Sequence, residues 1–290
     1  MAAPAKVTRV GHIGLKVGNL SQHAAFYTDL WGLGITEESK GRLYLRAEEP
    51  THHAMALYEA ERDVNAIEHI GLEVRDRADL ERAAEELARR GMEILQPPGP
   101  ASEPGRGYTL RFRDPAGLIV ELFAEPERVA DDYGERAVKP TKISHIVINV
   151  PDPEAQAQFY CDVLGFRVID RNAIGFRFMN CNSDHHSLAF VPGERTKLHH
   201  VAWEVKDWFE ICKGMYHLGE HGVPRVWGPG RHGPGNNLFA YFLDRENNVM
   251  EYTAEVEQVD ETYQPKDWSA APHGQPDYWR VYPPPPYMPR

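Results

Sequence analysis

GHIGLKVGNLSQHAAFYTDLWGLGITEE, Gly11 to Glu38, is answered later in the chain by SHIVINVPDPEAQAQFYCDVLGFRVIDR, Ser144 to Arg171. The step between the halves stays nearly constant: His12 to His145 is 133 positions, His69 to His200 is 131 and Glu121 to Glu251 is 130. The pair His52-His53 returns as His185-His186, and FRDPAGLIVELFAE returns as FLDRENNVMEYTAE. Solenoid units repeat every 20 to 50 residues or so, so this period describes a duplicated module. A length of 290 residues agrees with two domains of roughly 100 to 200 residues each.

Within each half a strand signal comes first, with apolar and β-branched residues alternating around a histidine (VGHIGLKV, ISHIVINV). A helix signal follows. In the second half Asp152 or Pro153 opens it, Ala155, Phe159, Tyr160, Val163 and Leu164 form its apolar stripe, and Gly165 ends it. Strands are expected around Arg42 to Leu45, Ala54 to Tyr58, Phe176 to Asn180 and Ser187 to Val191. The pattern then restarts with a histidine strand (IEHIGLEV, LHHVAWEV), a helix (Arg77 to Arg90, Trp208 to His221) and two closing strands that carry Glu121 or Glu251.

The expected fold is therefore α+β: two tandem modules, each of paired βαβββ units forming a curved mixed sheet around a central cavity. The boundaries are residues 1–136, 137–257 and a Pro- and aromatic-rich tail, 258–290, with a charged, Pro-flanked linker from Glu125 to Pro140. Pro283 to Pro286 is expected to be extended polyproline II. The tail as a whole is expected to wrap on the surface.

Side chains alternate across a strand, so His145, His200 and Glu251 can converge on one sheet face. Two imidazoles and a carboxylate hold a divalent non-haem metal and leave positions open for other groups. A buried carboxylate without a partner is costly, which makes a metal its natural companion. The net charge of −11 argues against a nucleic-acid partner. MAAPAKVTRV is not a signal peptide, and no apolar run reaches the roughly 20 residues of a spanning helix, so no membrane partner is expected. Cys161, Cys181 and Cys212, odd in number and without CxxC spacing, are expected to be buried inert thiols of a cytoplasmic protein. The glycines of Gly228 to Gly235 do not form a GxGxxG turn between strand and helix, so no nucleotide site is expected.

From Val7 to about Glu257 the chain resembles the type I extradiol catechol dioxygenases of the vicinal oxygen chelate superfamily. Four segments carry the resemblance: DHHSLAF (Asp184 to Phe190), LHHVAWEV (Leu198 to Val205), GPGRHGPGNNLFAYF (Gly228 to Phe242) and DRENNVMEYTAE (Asp244 to Glu255). It implies a metal site in the second module, with His145, His200 and Glu251 as ligands of Fe(II), or of Mn(II). His186 matches the family's acid–base histidine. His232 and Tyr241 match groups that hydrogen-bond substrate and oxygen.

The implied reaction opens a catecholic ring beside its diol with O2, giving a muconic semialdehyde-type product in aromatic catabolism, and the family implies a homo-oligomer. Trp203, Trp227, Asn237 and Phe239 are candidate substrate contacts. The RR pair that some carboxylate-substrate relatives carry in the tail is absent, so uncharged or bulkier catechols are expected. In module one, His12, His69 and Glu121 form a second set with His53 in the place of His186. There Arg111 stands in the place of Tyr241 and no histidine answers His232, so that set is expected to be non-catalytic.

Two other classes stand beside this one. Glyoxalase-like isomerases and metal-dependent thiol transferases of the same superfamily typically carry a second carboxylate where this chain has His145. Ligand-sequestering proteins of the fold have no need of three converging ligands.

Overall fold

The computed structural model describes residues 3–61, 67–129, 133–270 and 277–282. The expected polyproline stretch, Pro283 to Pro286, lies outside the described residues. The first module runs β1 (Val7–Val17), α1 (Leu20–Ala25), β2 (Gly34–Ser39), β3 (Arg42–Arg46) and β4 (Met55–Glu59). It continues with β5 (Ile67–Val74), α2 (Arg77–Arg89), β6 (Ile94–Pro100), β7 (Tyr108–Arg113) and β8 (Ile119–Ala124). The second module repeats this as β9 (Pro140–Val150), α3 (Pro153–Leu164), β10 (Arg167–Arg171), β11 (Arg177–Asn180) and β12 (Leu188–Pro192). Its second unit is β13 (Lys197–Val205), α4 (Trp208–Glu220), β14 (Arg225–Arg231), β15 (Leu238–Leu243) and β16 (Val249–Ala254). The tail adds a short β17 (Lys266–Asp267). Each unit is βαβββ, as the repeat requires.

The strands form two mixed sheets, ordered β2-β3-β4-β1-β5-β8-β7-β6 and β14-β15-β16-β13-β9-β12-β11-β10-β17. At the centre of each, the two histidine strands run antiparallel, and each has a parallel neighbour on its other side. Register does the rest. Ala202 on β13 faces His145 on β9 and Glu251 on β16, while His200 lies two residues back on the same face.

The opposite face of the sheet, with Ile146, Ile148, Val201, Met250 and Tyr252, joins the helices in a core that spans both modules. α3 starts where the sequence says it should. Asp152 caps it by accepting from the Ala155 amide at 3.0 Å, Pro153 takes the first turn, and Gly165 closes it at φ 72°. Its counterpart differs: after Ala25 the chain winds into a π-helical turn, Phe26–Leu30, a local widening that the apolar stripe did not signal.

The modules are fastened by a reciprocal pair of buried contacts. Tyr27 donates to Asp244 at 2.8 Å, and Tyr160 donates to Asp114 at 3.0 Å. Trp31 stacks on Tyr252 with ring centres 4.0 Å apart. Of the three thiols expected to be buried, only Cys181 is; Cys161 and Cys212 sit half-buried on α3 and α4, whose amphipathic faces leave them at the boundary. Burial pushes the Cys181 thiol up to about 11, which keeps it protonated and inert.

Candidate metal centre

In the second module the three expected ligands meet. His145 Nε2, His200 Nε2 and a Glu251 oxygen lie 3.3 Å apart in every pair, and all three residues are buried. That spacing suits donors arranged around one first-row divalent ion at roughly 2.0–2.2 Å. The groups behind the ligands point the same way. His145 Nδ1 lies 3.2 Å from the Ser144 hydroxyl and His200 Nδ1 lies 2.7 Å from His199 Nδ1. Donation from these outer nitrogens would turn a bare Nε2 of each ring inward, the usual arrangement behind a metal-bound histidine.

Glu251 Oε2 is buried without a hydrogen-bond donor. Burial alone would push this carboxyl up, but His145 and His200 beside it hold it well below the carboxylate range. Burial also lowers His200 to about 4, against the pull of Glu251, so its ring is neutral. Two imidazole nitrogens and one carboxylate oxygen thus converge on a single gap, and their donor set is one that a divalent cation would fit.

His186 packs beside this triangle, its ring centre 4.3 Å from that of His145. Burial, then the neighbouring histidines, lowers its pKa well below the usual value, so it is an unprotonated base. Gly235 packs against it: at φ +81° the backbone favours glycine, and a Cβ there would sit tightly, 3.0 Å from both His186 Cε1 and Asn237 Oδ1. His232 Nε2 and the Tyr241 hydroxyl are 2.9 Å apart. Burial, reinforced by Glu251, raises the Tyr241 phenol well above its ordinary value, so it stays a donor.

The four expected substrate contacts divide. Trp227 and Phe239 surround the His232–Tyr241 pair, with His232 stacked on Phe239 at 3.8 Å between ring centres and Trp227 stacked near Tyr241 at 5.6 Å. Asn237 is buried and donates to Thr253 at 2.8 Å and to Glu251 at 3.4 Å, which steadies the ligand carboxylate. Trp203 is not at the site: an odd step from His200 and Ala202 turns it to the helix-covered core, with Val201 and Val205. The sequence reading missed Phe178, whose ring meets His186 edge-on at 5.2 Å, and Asp170 behind His185. The signal for Asp170 was present, since a step of 133 pairs it with Glu37 just as it pairs the two HH motifs.

Module one assembles His12, His69 and Glu121 within 4.8 Å of one another, but around different neighbours. Arg111 faces Glu121 across the strands, where module two has Tyr241 facing Glu251. Its Nε lies 2.5 Å from Glu121 and its Nη2 3.0 Å from Glu103. Although burial opposes it, these two carboxylates raise the guanidinium above its ordinary value. Arg106, fully buried, donates to His53 Nε2 at 3.0 Å. His12 Nδ1 and His69 Nδ1 have no partner, because Gly11 and Glu68 stand where module two has Ser144 and His199. Gly71 replaces Ala202, and the His12 ring occupies the volume of the missing Cβ. The carboxylate that would bind a cation is already paired with one.

A cleft of about 740 Å³ between α1 and the β2–β3 turn, lined by Asn19, Ser21, Lys40 and Glu59 among others, shares no residue with either cluster.

A profile of the "Glyoxalase/Bleomycin resistance protein/Dioxygenase superfamily" matches residues 9–122 and 142–252. Metapyrocatechase 2 of Cupriavidus necator is 30% identical over 196 residues, 60% of each chain. The Mn(II)-bound glyoxalase from Novosphingobium aromaticivorans superposes with a TM-score of 0.91 at 34% identity, covering 98% of this chain and 94% of that one. Homoprotocatechuate 2,3-dioxygenase from Brevibacterium fuscum gives 0.90 at 25% identity, covering 99% and 93%. The duplicated βαβββ units, the histidine strands at the centre of each sheet and the profile match over both modules place this chain in the glyoxalase/bleomycin resistance protein/dioxygenase superfamily.

Proposed function

We propose that the chain is a metal-dependent extradiol dioxygenase that inserts both atoms of O2 into a catecholic ring beside its vicinal diol, giving a muconic semialdehyde-type product. One observation carries this reading: a three-donor metal site with a single carboxylate has an unprotonated base, His186, on one side and a phenol–imidazole pair, Tyr241 and His232, on the other. When bound, an Fe(II) or Mn(II) ion offers positions for two neighbouring diol oxygens and for O2 and acidifies the bound hydroxyl. His145, His200 and Glu251 hold the ion. His186 takes the proton of a diol hydroxyl and returns it to oxygen as the ring opens. Tyr241 donates a hydrogen bond to a substrate oxygen, with His232 fixing its hydroxyl.

Phe178, Trp227 and Phe239 supply apolar walls, which suit an uncharged aromatic ring and keep bulk water away from the reacting atoms. Module one, with Arg111 on Glu121, is a non-catalytic structural partner. Residence in the cytoplasm is supported by three cysteines without a disulfide, and a homo-oligomer by Phe209 and Tyr216 exposed on α4.

A second reading follows from the relative named a glyoxalase. Against it stands the donor set, which has one carboxylate where the isomerase chemistry of this superfamily typically uses two. Anaerobic purification, metal analysis and oxygen uptake with a panel of catechols separate the two. About one ion per chain, with oxygen uptake lost in His200→Ala, is the expected result. Full metal occupancy, no oxygen uptake on any catechol and isomerisation of a glutathione–ketoaldehyde adduct would replace the dioxygenase reading by the isomerase one.

A further inference from the structure

Behind His186 runs a hydrogen-bonded chain that the proposed chemistry leaves unused. His186 Nδ1 lies 3.1 Å from His185 Nδ1, and His185 Nε2 lies 3.0 Å from Asp170 Oδ2. All three side chains are buried. The tail grips Asp170 from the other side: the Lys266 amide donates to Oδ1 at 2.8 Å, Trp268 Nε1 donates to Oδ2 at 2.6 Å and the Tyr263 hydroxyl lies 3.3 Å from Oδ1. Burial alone would raise this carboxyl, but the donors from His185, Trp268 and Lys266 hold it below its ordinary value.

The direction of the chain follows from donor and acceptor counting. An ionised carboxylate only accepts, so His185 carries a proton on Nε2, and with one proton on the ring its Nδ1 is an acceptor. The contact between the two Nδ1 atoms is then a hydrogen bond only if His186 donates. That leaves His186 Nε2 bare.

Module one repeats the chain with its polarity set from the opposite end. Glu37 Oε2 lies 3.5 Å from His52 Nε2, and His52 Nδ1 lies 2.9 Å from His53 Nδ1. There Arg106 donates to His53 Nε2 at 3.0 Å, and arginine cannot accept. His53 must therefore hold its proton on Nδ1 and pass it towards His52 and Glu37. Two copies, constrained at different ends, give the same order of donors. Only the module-two copy leaves the terminal nitrogen free of an arginine.

We infer that Asp170 and His185 are positioning residues that lock His186 in the tautomer with a bare Nε2, and that Tyr263, Lys266 and Trp268 of the tail fasten this relay. The inference rests on the role of His186 as the base of the proposed reaction. It gives the tail a function beyond covering the surface. A base with its lone pair already on the reacting nitrogen accepts a diol proton without first exchanging tautomers.

Two-bond 1H–15N correlation spectra of metal-free protein labelled with 15N-histidine distinguish protonated from bare ring nitrogens, and His186→Gln assigns the signal. Wild type is expected to show His186 protonated on Nδ1 and bare on Nε2. His185→Leu introduces the Nε2-protonated form, whereas His185→Gln keeps the wild-type pattern, because its carbonyl accepts from His186 while its amide donates to Asp170. In oxygen-uptake assays His185→Leu lowers kcat by roughly 10- to 100-fold with KM and metal content unchanged, and His185→Gln recovers most of it. An Nε2-protonated His186 in wild type, or a tautomer untouched by His185→Leu, overturns the proposal. So does a loss of kcat that only accompanies loss of metal or of thermal stability. Wild-type protein inert towards every catechol would refute the dioxygenase reading, while the tautomer spectra would still decide the relay.

Discussion

Burial decides the roles of individual residues, because it fixes which groups are acceptors and which are donors. His186 is neutral and Tyr241 is a phenol at neutral pH for the same reason, desolvation, and they face the triangle from the loop before β12 and from β15. His186→Gln, which retains a polar side chain but no base, is expected to lower kcat by about 10²- to 10⁴-fold with metal content unchanged. Atomic absorption and initial-rate assays check this, and a near-normal kcat would remove His186 from the proton path. Tyr241→Phe removes one donor and leaves the ring, so a smaller loss in kcat is expected with the protein as stable as wild type. The ligands were legible in the sequence because His and Glu recur at one repeat step inside apolar strands. The placement of Trp203 was not, since it turns on strand parity, and neither was the contact of Asn237 with Glu251, which composition does not record.

The pairing of elements rests on the two tyrosine–aspartate contacts that tie each helix region to the other module. Burial pushes Asp114 up to about 6 despite donors from Tyr160, the Leu118 amide and Gln156. A carboxyl raised in the folded state contributes stability that is complete below its unfolded pKa and is lost as pH rises through the folded one. Between about pH 4 and about pH 7, wild type is therefore expected to lose some 2 to 3 kcal/mol of unfolding free energy relative to Asp114→Asn. Urea titrations of the two metal-free proteins measure it; a constant difference across that range contradicts the assignment. The four βαβββ units, their helix caps and their closing strands were readable from periodicity and from Asp, Pro and Gly signals. The π-helical turn after Ala25 and the small β17 were not: the first is a local widening inside an unbroken apolar stripe, and the second is a tail segment with no strand pattern, held by Asp170.

Over the whole molecule, duplication has left two His-His-Glu clusters, one of them with its carboxylate paired to an arginine. Wild type is expected to bind one ion per chain. Arg111→Leu strands Glu121 and Glu103 without their partner, and such a loss in a buried pair costs about 3–5 kcal/mol. Added Mn(II) is expected to recover part of that stability and to raise the stoichiometry above one, read by thermal unfolding and metal analysis. Two ions in wild type would contradict the account of module one. The most direct test of the central claim is ring cleavage under 18O2, with the product analysed by mass spectrometry. Wild type is expected to form a ring-opened product carrying two labelled oxygens, and Glu251→Ala to form none. A product with unlabelled oxygens, or an isomerised substrate formed without O2, would contradict the claim.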